Sequence, residues 1–564
     1  MQQNHAFPWL KHYPEGIDWH EEFVAKPLYF LLEEAASRWP ENIALDFFGK
    51  TYSYATLKEM TDRIGRGLQS LGVDKGTRVG LFMPNCPQYV MCYYAILKVG
   101  GVVVNFNPLY SHHEIEHQIR DAEVEVMVTV NLKVTHPKLL PFIGTTSLRK
   151  VVVCQFQNAM PMAKRALFVA AKGKDLAPIP KDAHHITLAE LLEYPDLVIS
   201  PRITPHTDCA VLQYTGGTTG VPKGAVLTHS NLYINALQCS RWMQNLEPGN
   251  ETMLAVIPFF HVFAMTVAMN LAIANGFTII IHPKFDLKRV LADIQAKKPT
   301  VMPGVSTLYA TINNYSHIGN YDLSSIKMCI SGGGPLPVEV KERFEKLTGC
   351  ALVEGYGLTE SSPVTSCNPL LSGQKTGSIG FPLPGTIMEI IDKDDKTTPL
   401  KPGEIGEVCI RGPQVMQGYL NRPDESAGVL INGRLHTGDL GKMDDEGYFY
   451  IVDRLKEMII VGGYNVYPRN IEEVLYTHPA VAEAAVVGLS HKTRGQMIKA
   501  YIVLREGARA DEAELKNYMR EHMSAYSVPH AVVFRDAMPK SMIGKILKKE
   551  LLKEEMERQA AEAS

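Results

Sequence analysis

RVGLFMPNCPQYVMCYYAILKVGGVVVNF (residues 78–106) changes texture twice. RVGLFM (78–83) reads as a short buried strand, YVMCYYAILKVG (89–100) as a helix, and GVVVNF (101–106) as a second strand. Strand, helix and strand in this order make a crossover unit, because parallel strands need a connection of a dozen residues or more. The pattern extends both ways: ATLKEMTDRIGRGLQSLG (55–72) has helical period, and VEVMVTV (124–130) is another apolar strand. The alternation predicts an α/β fold with parallel, doubly wound layers. In such sheets ligands bind outside the carboxyl ends of the strands.

At 564 residues the chain is too long for one hydrophobic core, so several domains are expected. A content of 45% hydrophobic and 21% charged residues is that of a globular enzyme, and a net charge of −3 argues against a nucleic-acid partner. Nine Cys without a CxxC pair fit reduced thiols better than a disulfide framework or a zinc knuckle. The first residues lack a basic-then-apolar leader and the last lack Ser-Lys-Leu, so a cytoplasmic protein is expected. Residues 253–281 contain no Asp, Glu, Lys or Arg, a length that could span a bilayer. Pro258, His261, Asn270, Asn275 and Gly276 interrupt that run, and its FTIII end is a strand pattern, so a helix and strand buried in a large core is the expectation.

Residues 155–205 break the rhythm and read as a surface insertion, whose basic, apolar part AKRALFVAAKGK could touch an anionic membrane surface. From about residue 385 the texture becomes short β segments with Gly/Pro turns. After Arg454 a compact portion mixes helices (NIEEVLYTHP, DEAELKNYMREHM) with strands (AEAAVVGL, KAYIVLR). The expected division is 1–453, a hinge at 454–457 and a final domain at 458–564.

His113-Glu114-Ile115-Glu116-His117 matches the HExxH pattern of zinc proteases, yet the segment is charged on several faces and has no third ligand downstream. A surface helix is expected there. The stronger signal is a set of loops. YTGGTTGVPKG (214–224) has the Gly and Thr content of a phosphate-wrapping loop, but it is not a Walker A loop: Lys223 follows Pro222, and Gly224 stands where Ser or Thr should be. SGGGPLP (331–337) permits close backbone approach to a flat ligand. EGYGLTE (354–360) offers the face of Tyr356, the Thr359 hydroxyl and Glu360, a hard oxygen ligand for Mg²⁺. HTGDL (436–440) puts Asp439 after a turn, where it can accept two ribose hydroxyls, and PKSMIGKILKKEL (539–551) sets Lys545 beside Gly544.

YTGGTTGVPKG, PFFHVFA, EGYGLTE, LHTGDL, DRLKEMI and PKSMIGK, in this order, resemble the core motifs of the acyl-adenylate-forming superfamily, over nearly the whole chain. NPLY (107–110), GPQVMQGY (412–419) and NGRLHTGDLGKMDDEGYFYIVDRLKEMI (432–459) make it most similar to the bacterial long-chain fatty-acid–CoA ligases of that superfamily. The resemblance implies a large N-terminal domain of layered α/β sheets with a small β-rich subdomain, plus a small mobile α+β C-terminal cap. It implies a two-step ligase: fatty acid and ATP give acyl-AMP and pyrophosphate, then coenzyme A takes the acyl group and AMP leaves. The implied co-substrates are ATP and coenzyme A, with Mg²⁺ as cofactor. Acceptance of a medium-chain or aryl acid, or of a carrier-protein thiol, is the alternative; an integral membrane transport protein is a more distant one. Peripheral attachment to the inner face of the cell membrane and a homodimer stay open.

Residue by residue, the resemblance makes Lys545 the catalytic lysine that bridges carboxylate and α-phosphate, with Thr359 beside that phosphate and His261 at the junction of the acyl and thiol channels. Thr215, Gly216, Gly217, Thr218, Thr219, Gly220 and Lys223 would hold the β- and γ-phosphates. Gly333, Gly334 and Pro335 would flank adenine with Tyr356; Glu354, Gly355 and Gly357 would also belong to the ATP/AMP site, and Asp439 and Arg454 would hold the ribose. Mg²⁺ would be shared by Glu360 and Thr215. Lys456 is at the hinge position; Gly462, Gly463, Tyr464 and Lys284 would meet coenzyme A; Gly304 and Val305 would join His261 along the acyl chain.

Overall fold

The computed structural model describes residues 7–194, 200–215, 222–461, 464–491, 495–541 and 544–563. Residues 78–106 form the expected crossover: strand Arg78–Phe82, helix Pro87–Lys98 and strand Val102–Asn105, the two strands parallel with Arg78 opposite Val102. Pro87 opens the helix where a backbone N–H would have no partner. The helix is buried from Pro87 through Leu97, as its apolar composition demands. Its tyrosine hydroxyls tie it to both sides: Tyr89 donates to Asn105 Oδ1 at 2.6 Å and Tyr94 to Asn270 Oδ1 at 2.9 Å.

Two large sheets build the body. A seven-stranded sheet runs His185–Thr187, Lys150–Cys154, Val126–Val130, Arg78–Phe82, Val102–Asn105, Cys209–Thr215 and Lys223–Thr228, parallel except for the final hairpin. A nine-stranded sheet has a parallel centre (Ala351–Gly357, Met328–Ser331, Val301–Gly304, Thr252–Ala255, Thr278–Ile281, Ile43–Phe47) and antiparallel edges. An antiparallel sheet follows, built from Ile387–Ile391, Gly406–Arg411, Leu430–Ile431, Arg434–Met443 and Phe449–Arg454. Between Arg454 and Ile459 the chain passes to a fourth sheet of five strands. Helices Pro468–Tyr476 and Glu512–His522 contribute Ile471, Leu475 and Leu515 to its own apolar cluster with Val486 and Ile498.

The uncharged run 253–281 lies inside the body. Where one helix and one strand are expected, it forms strand Thr252–Ala255, a wide π-helix at Ala264–Asn270 continued by Leu271–Ala274, and strand Thr278–Ile281. The two strands pair in parallel, and that needs the intervening helix as a crossover. No described helix is long and apolar enough to cross a membrane. Residues 155–205 hold more than an insertion, since His185–Thr187 extends the seven-stranded sheet beside Val151–Val153. HExxH lies on helix His112–Asp121, where the Glu114 carboxylate accepts from Ser111 N at 2.8 Å as half of a capping box. That pattern is a helix start. All nine cysteines are free.

Candidate active site

Asp439 and Arg454 face each other on the ladder between Arg434–Met443 and Phe449–Arg454. Arg454 Nε lies 3.1 Å from Asp439 Oδ1, and the Tyr356 hydroxyl donates to Oδ2 at 2.6 Å. The turn before Asp439 is fixed from behind. Glu407 accepts from Gly438 N at 2.9 Å and lies 2.7 Å from His436 Nδ1, while the Thr437 hydroxyl donates to Val408 O at 2.7 Å. Cys409 stands 3.4 Å from His436 Nδ1, so Glu407, Cys409 and His436 form the one buried cluster of potential metal ligands among the described residues. Burial pushes the Cys409 thiol up, and its contact with His436 makes it part of the hydrogen-bonded support behind the turn. Asp439 is only 5% exposed, so its carboxylate is held in one place.

The 214–224 stretch joins two antiparallel strands, with Thr215 opposite Lys223. Gly216, Gly217, Thr218, Thr219 and Gly220 lie outside the described residues. Both strands of the hairpin touch the turn Thr359–Ser361. The segment around Tyr419 runs alongside, with Val226 N donating to Gly418 O at 2.9 Å and Leu420 N to Gly224 O at 2.8 Å. This places the Tyr419 hydroxyl 2.7 Å from Glu360 Oε1 and Lys223 Nζ 5.2 Å above the Tyr419 ring. Lys223 is also ion-paired with Glu425. Glu360 is therefore an oriented, half-buried carboxylate at the hairpin, a donor of the hard type that Mg²⁺ takes.

Lys545 arrives from the fourth sheet's domain. Its loop is closed by Ser541 N donating to Lys545 O and Gly544 N to Ser541 O, both at 2.8 Å. Gly544 has φ +79, and a Cβ there would lie 2.1 Å from Thr307 Oγ1 and 3.3 Å from Val305. The loop thus rests on the turn after Gly304. Lys545 is exposed, yet groups from both domains, Asp439 and Arg454 on one side and Glu457 and Lys548 on the other, act on its ammonium group. Burial and the Arg454 guanidinium lower its pKa to about 8, against the pull of Glu457 and Asp439. His261 lies close enough to feel it: burial and then Lys545 lower the imidazole to about 4, so the ring is neutral at physiological pH. Phe263 N donates to His261 Nδ1 at 3.3 Å, which leaves the ring proton on Nε2.

Several residues here carry no motif signal. Lys548, three positions after Lys545, bridges Glu457 at 3.2 Å and Glu472 at 2.8 Å. Burial alone would raise Glu457, but Lys548, Arg454 and Lys545 more than offset it and hold the carboxyl below its usual range. Arg469 lies 3.7 Å from Glu354 across the domain boundary, and its backbone N–H donates to Asp453 Oδ2 at 3.0 Å. Burial raises Glu354 to about 7, with Arg469 opposing. Arg505 adds a second cross-domain pair with Glu339 at 2.9 Å. The charge of Lys548 and Arg469 was visible in sequence, but their partners lie far away along the chain.

Gly333 follows strand Met328–Ser331 with φ +78, and Gly334 and Pro335 continue that turn. At Gly357 a Cβ would meet Pro363 O at 1.9 Å, so no side chain fits. Gly355 and Tyr356 end the strand that carries Glu354, and Thr359 is half-buried beside Glu360. Lys456 is on the exposed turn between the third and fourth sheets. Gly462 and Gly463 lie outside the described residues; Tyr464 begins the strand after them. Lys284 is exposed and makes no ion pair among the described residues.

The AMP-binding enzyme family matches residues 32–420, and the AMP-binding enzyme C-terminal domain matches residues 470–545. A long-chain-fatty-acid–CoA ligase of Bacillus subtilis (strain 168) is 44% identical over 553 residues, 98% of each chain. A 4-coumarate-CoA ligase 1 of Narcissus pseudonarcissus is 33% identical over 514 residues, 90% of this chain and 89% of its own. The o-succinylbenzoate CoA synthetase of Bacillus subtilis, solved with its acyl-adenylate OSB-AMP, superposes with a TM-score of 0.77 at 28% identity, over 94% of this chain and 98% of its own. The same synthetase has been solved with ATP and a magnesium ion, with a TM-score of 0.75 over 94% of this chain and 100% of its own. Family matches over both parts of the chain, with relatives similar from end to end, show that this protein belongs to the AMP-binding enzyme family.

Proposed function

We propose that the protein is an ATP-dependent long-chain fatty-acid–CoA ligase. The observation that carries this reading is the convergence of Lys545, Arg454, Asp439 and His261 in one cleft between two domains. A fatty carboxylate cannot be attacked by a thiol directly, because oxide would have to leave. Its oxygen attacks the α-phosphorus of ATP, the bond to the β-phosphate breaks, and acyl-AMP and pyrophosphate result. The thiol of coenzyme A then attacks the acyl carbon, losing its proton, and AMP departs.

The first step brings an anion to a polyanion, so oriented positive charge does most of the catalytic work. Lys545, a compact charge with three donors, would bridge the carboxylate and the α-phosphate, with the Thr359 hydroxyl beside it. The hairpin around Thr215 and Lys223 would grip the departing pyrophosphate. Asp439 would accept from the ribose, in a place set by Arg454 and Tyr356. Glu360 and Thr215 suit Mg²⁺, which supplies positive charge to the polyphosphate when bound. Neutral His261 would donate from Nε2 at the meeting of the acyl and thiol paths, with Gly304 and Val305 lining the acyl side.

For the second step the domain from residue 458 onward would turn about Lys456, taking Lys545 away and bringing residues 462–464 to the thiol. The division at 453, 454–457 and 458 agrees with the change of sheet between Arg454 and Ile459. Incubation with palmitate, ATP, Mg²⁺ and coenzyme A yields AMP and palmitoyl-CoA on this reading. Formation of ADP, or no acyl-CoA with any acid from four to twenty carbons, overturns it. A faster rate with a coumarate-type acid or with a pantetheinylated carrier protein would move the assignment elsewhere within the family.

A further inference from the structure

Helix Met162–Lys172 (MAKRALFVAAK) is turned the wrong way for a surface helix. None of its residues is buried. Only Phe168 packs inward, its ring 5.9 Å from that of Phe156. A polar group also points back to the protein, as Lys164 Nζ donates to Phe48 O at 2.7 Å. The apolar side faces water: Met162 is 87% exposed, Leu167 69% and Val169 43%. Met162, Ala166 and Ala170 form one stripe at a spacing of four, and Ala163, Leu167 and Ala171 form the next, all exposed. The two stripes run the length of the helix, about 16 Å at 1.5 Å per residue.

Charge identifies the occupant. Residues 162–175 carry Lys164, Arg165, Lys172 and Lys174 and a single acid, Asp175, 4.0 Å from Lys172. Lys133 N donates to Asp175 O at 2.9 Å, which sets Lys133 and the 54% exposed Val134 beside the end of the helix. A second copy of this chain docked here about a two-fold axis would bring these cations against themselves. An anionic bilayer offers the opposite: hydrocarbon for the stripes and phosphate for the flanks. We propose that this helix, with Lys133, Val134 and Lys174, docks the enzyme on an anionic lipid bilayer. Met162 and Leu167 enter the acyl region, and Arg165 and Lys172 face the headgroup phosphates. The inference deepens the proposed function, since a long-chain acid dissolves in such a bilayer and would be drawn from it.

The test is co-sedimentation of the full-length protein with phosphatidylcholine vesicles, with and without phosphatidylglycerol, beside size-exclusion chromatography. Binding is expected only to the phosphatidylglycerol vesicles and falls as salt is raised. Arg165→Gln is expected to weaken it about fivefold, the factor matching about 1 kcal/mol for one cation near an anionic surface. Met162→Ser/Leu167→Ser is expected to abolish it while leaving AMP formation from octanoate, supplied free in solution, unchanged. No sedimentation with either vesicle overturns the proposal, as does sedimentation that both variants retain. A concentration-dependent dimer that the double variant dissolves also overturns it, in favour of a second copy. Vesicle binding without acyl-CoA formation from any acid would sink the ligase reading alone.

Discussion

Lys223 and Lys545 each stand beside a glycine, Gly224 and Gly544, yet their surroundings are opposite. Lys223 is fixed on a body strand, ion-paired with Glu425 and set over the Tyr419 ring. Lys545 is carried by the smaller domain, has no carboxylate within ion-pair distance among the described residues, and has Arg454 beside it. A lysine already neutralised adds little where new negative charge arrives. One held next to another cation gains most from an incoming anion. The comparison assigns support to Lys223 and chemistry to Lys545.

The largest effect that would break this comparison is at Lys545. Lys545→Ala is expected to slow acyl-AMP formation by about 10²–10³-fold, the range for losing one donor at a developing charge. Thioester formation from preformed acyl-AMP is expected to persist; single-turnover assays of each half-reaction separate the two, and equal loss would refute the role. Next comes Lys548→Met, which leaves Glu457 and Glu472 without their bridging cation. About tenfold or more is expected in kcat for adenylation, with Lys548→Arg restoring most of it, because a buried carboxylate without its partner is costly.

Gly544→Ala sharpens the same point. An L-residue at φ +79 costs roughly 1–2 kcal/mol, and the added Cβ meets Thr307. About tenfold slower adenylation is expected, partly relieved by Thr307→Ala. The pH dependence follows from sign. Lys545, lowered to about 8, is charged below that pH and loses its charge above it. Adenylation kcat/KM of the free enzyme is therefore expected to fall above about pH 8, a limb that Lys545→Arg removes. The smallest effect is at Lys223→Gln: a few-fold rise in KM for ATP with kcat nearly kept, near the value of one partly exposed charge. A larger loss there than at Lys545 would invert the comparison.

Much of this was legible in sequence where local pattern governs structure. The crossover at 78–106 and the helix at Tyr54–Ser70 follow from period and composition. The site motifs were legible because they hold glycines where a Cβ would collide, with the Pro363 backbone at Gly357 and with the Thr307 side chain at Gly544. What pattern could not give was long-range pairing. Lys548 reads as one more charge in a basic run until the fold sets Glu457 and Glu472 beside it. The surface helix expected at the HExxH match is there, but that the Glu114 carboxylate caps its own helix is visible only in the fold. The basic, apolar stretch within 162–174 stood out in sequence, but which of its sides faces water did not, since apolar spacing tells which residues share a side and not which way that side faces.

Three of the ties between the two domains have a consequence for engineering. Arg469 with Glu354, Arg505 with Glu339, and Gly544 against Thr307 are short polar or steric matches on an otherwise separate core. A chimera that grafts the last hundred or so residues of a relative onto this body would have to preserve those three correspondences before any others. Substrate preference, written in the body, and catalytic tempo, written in the graft, would then become separately adjustable.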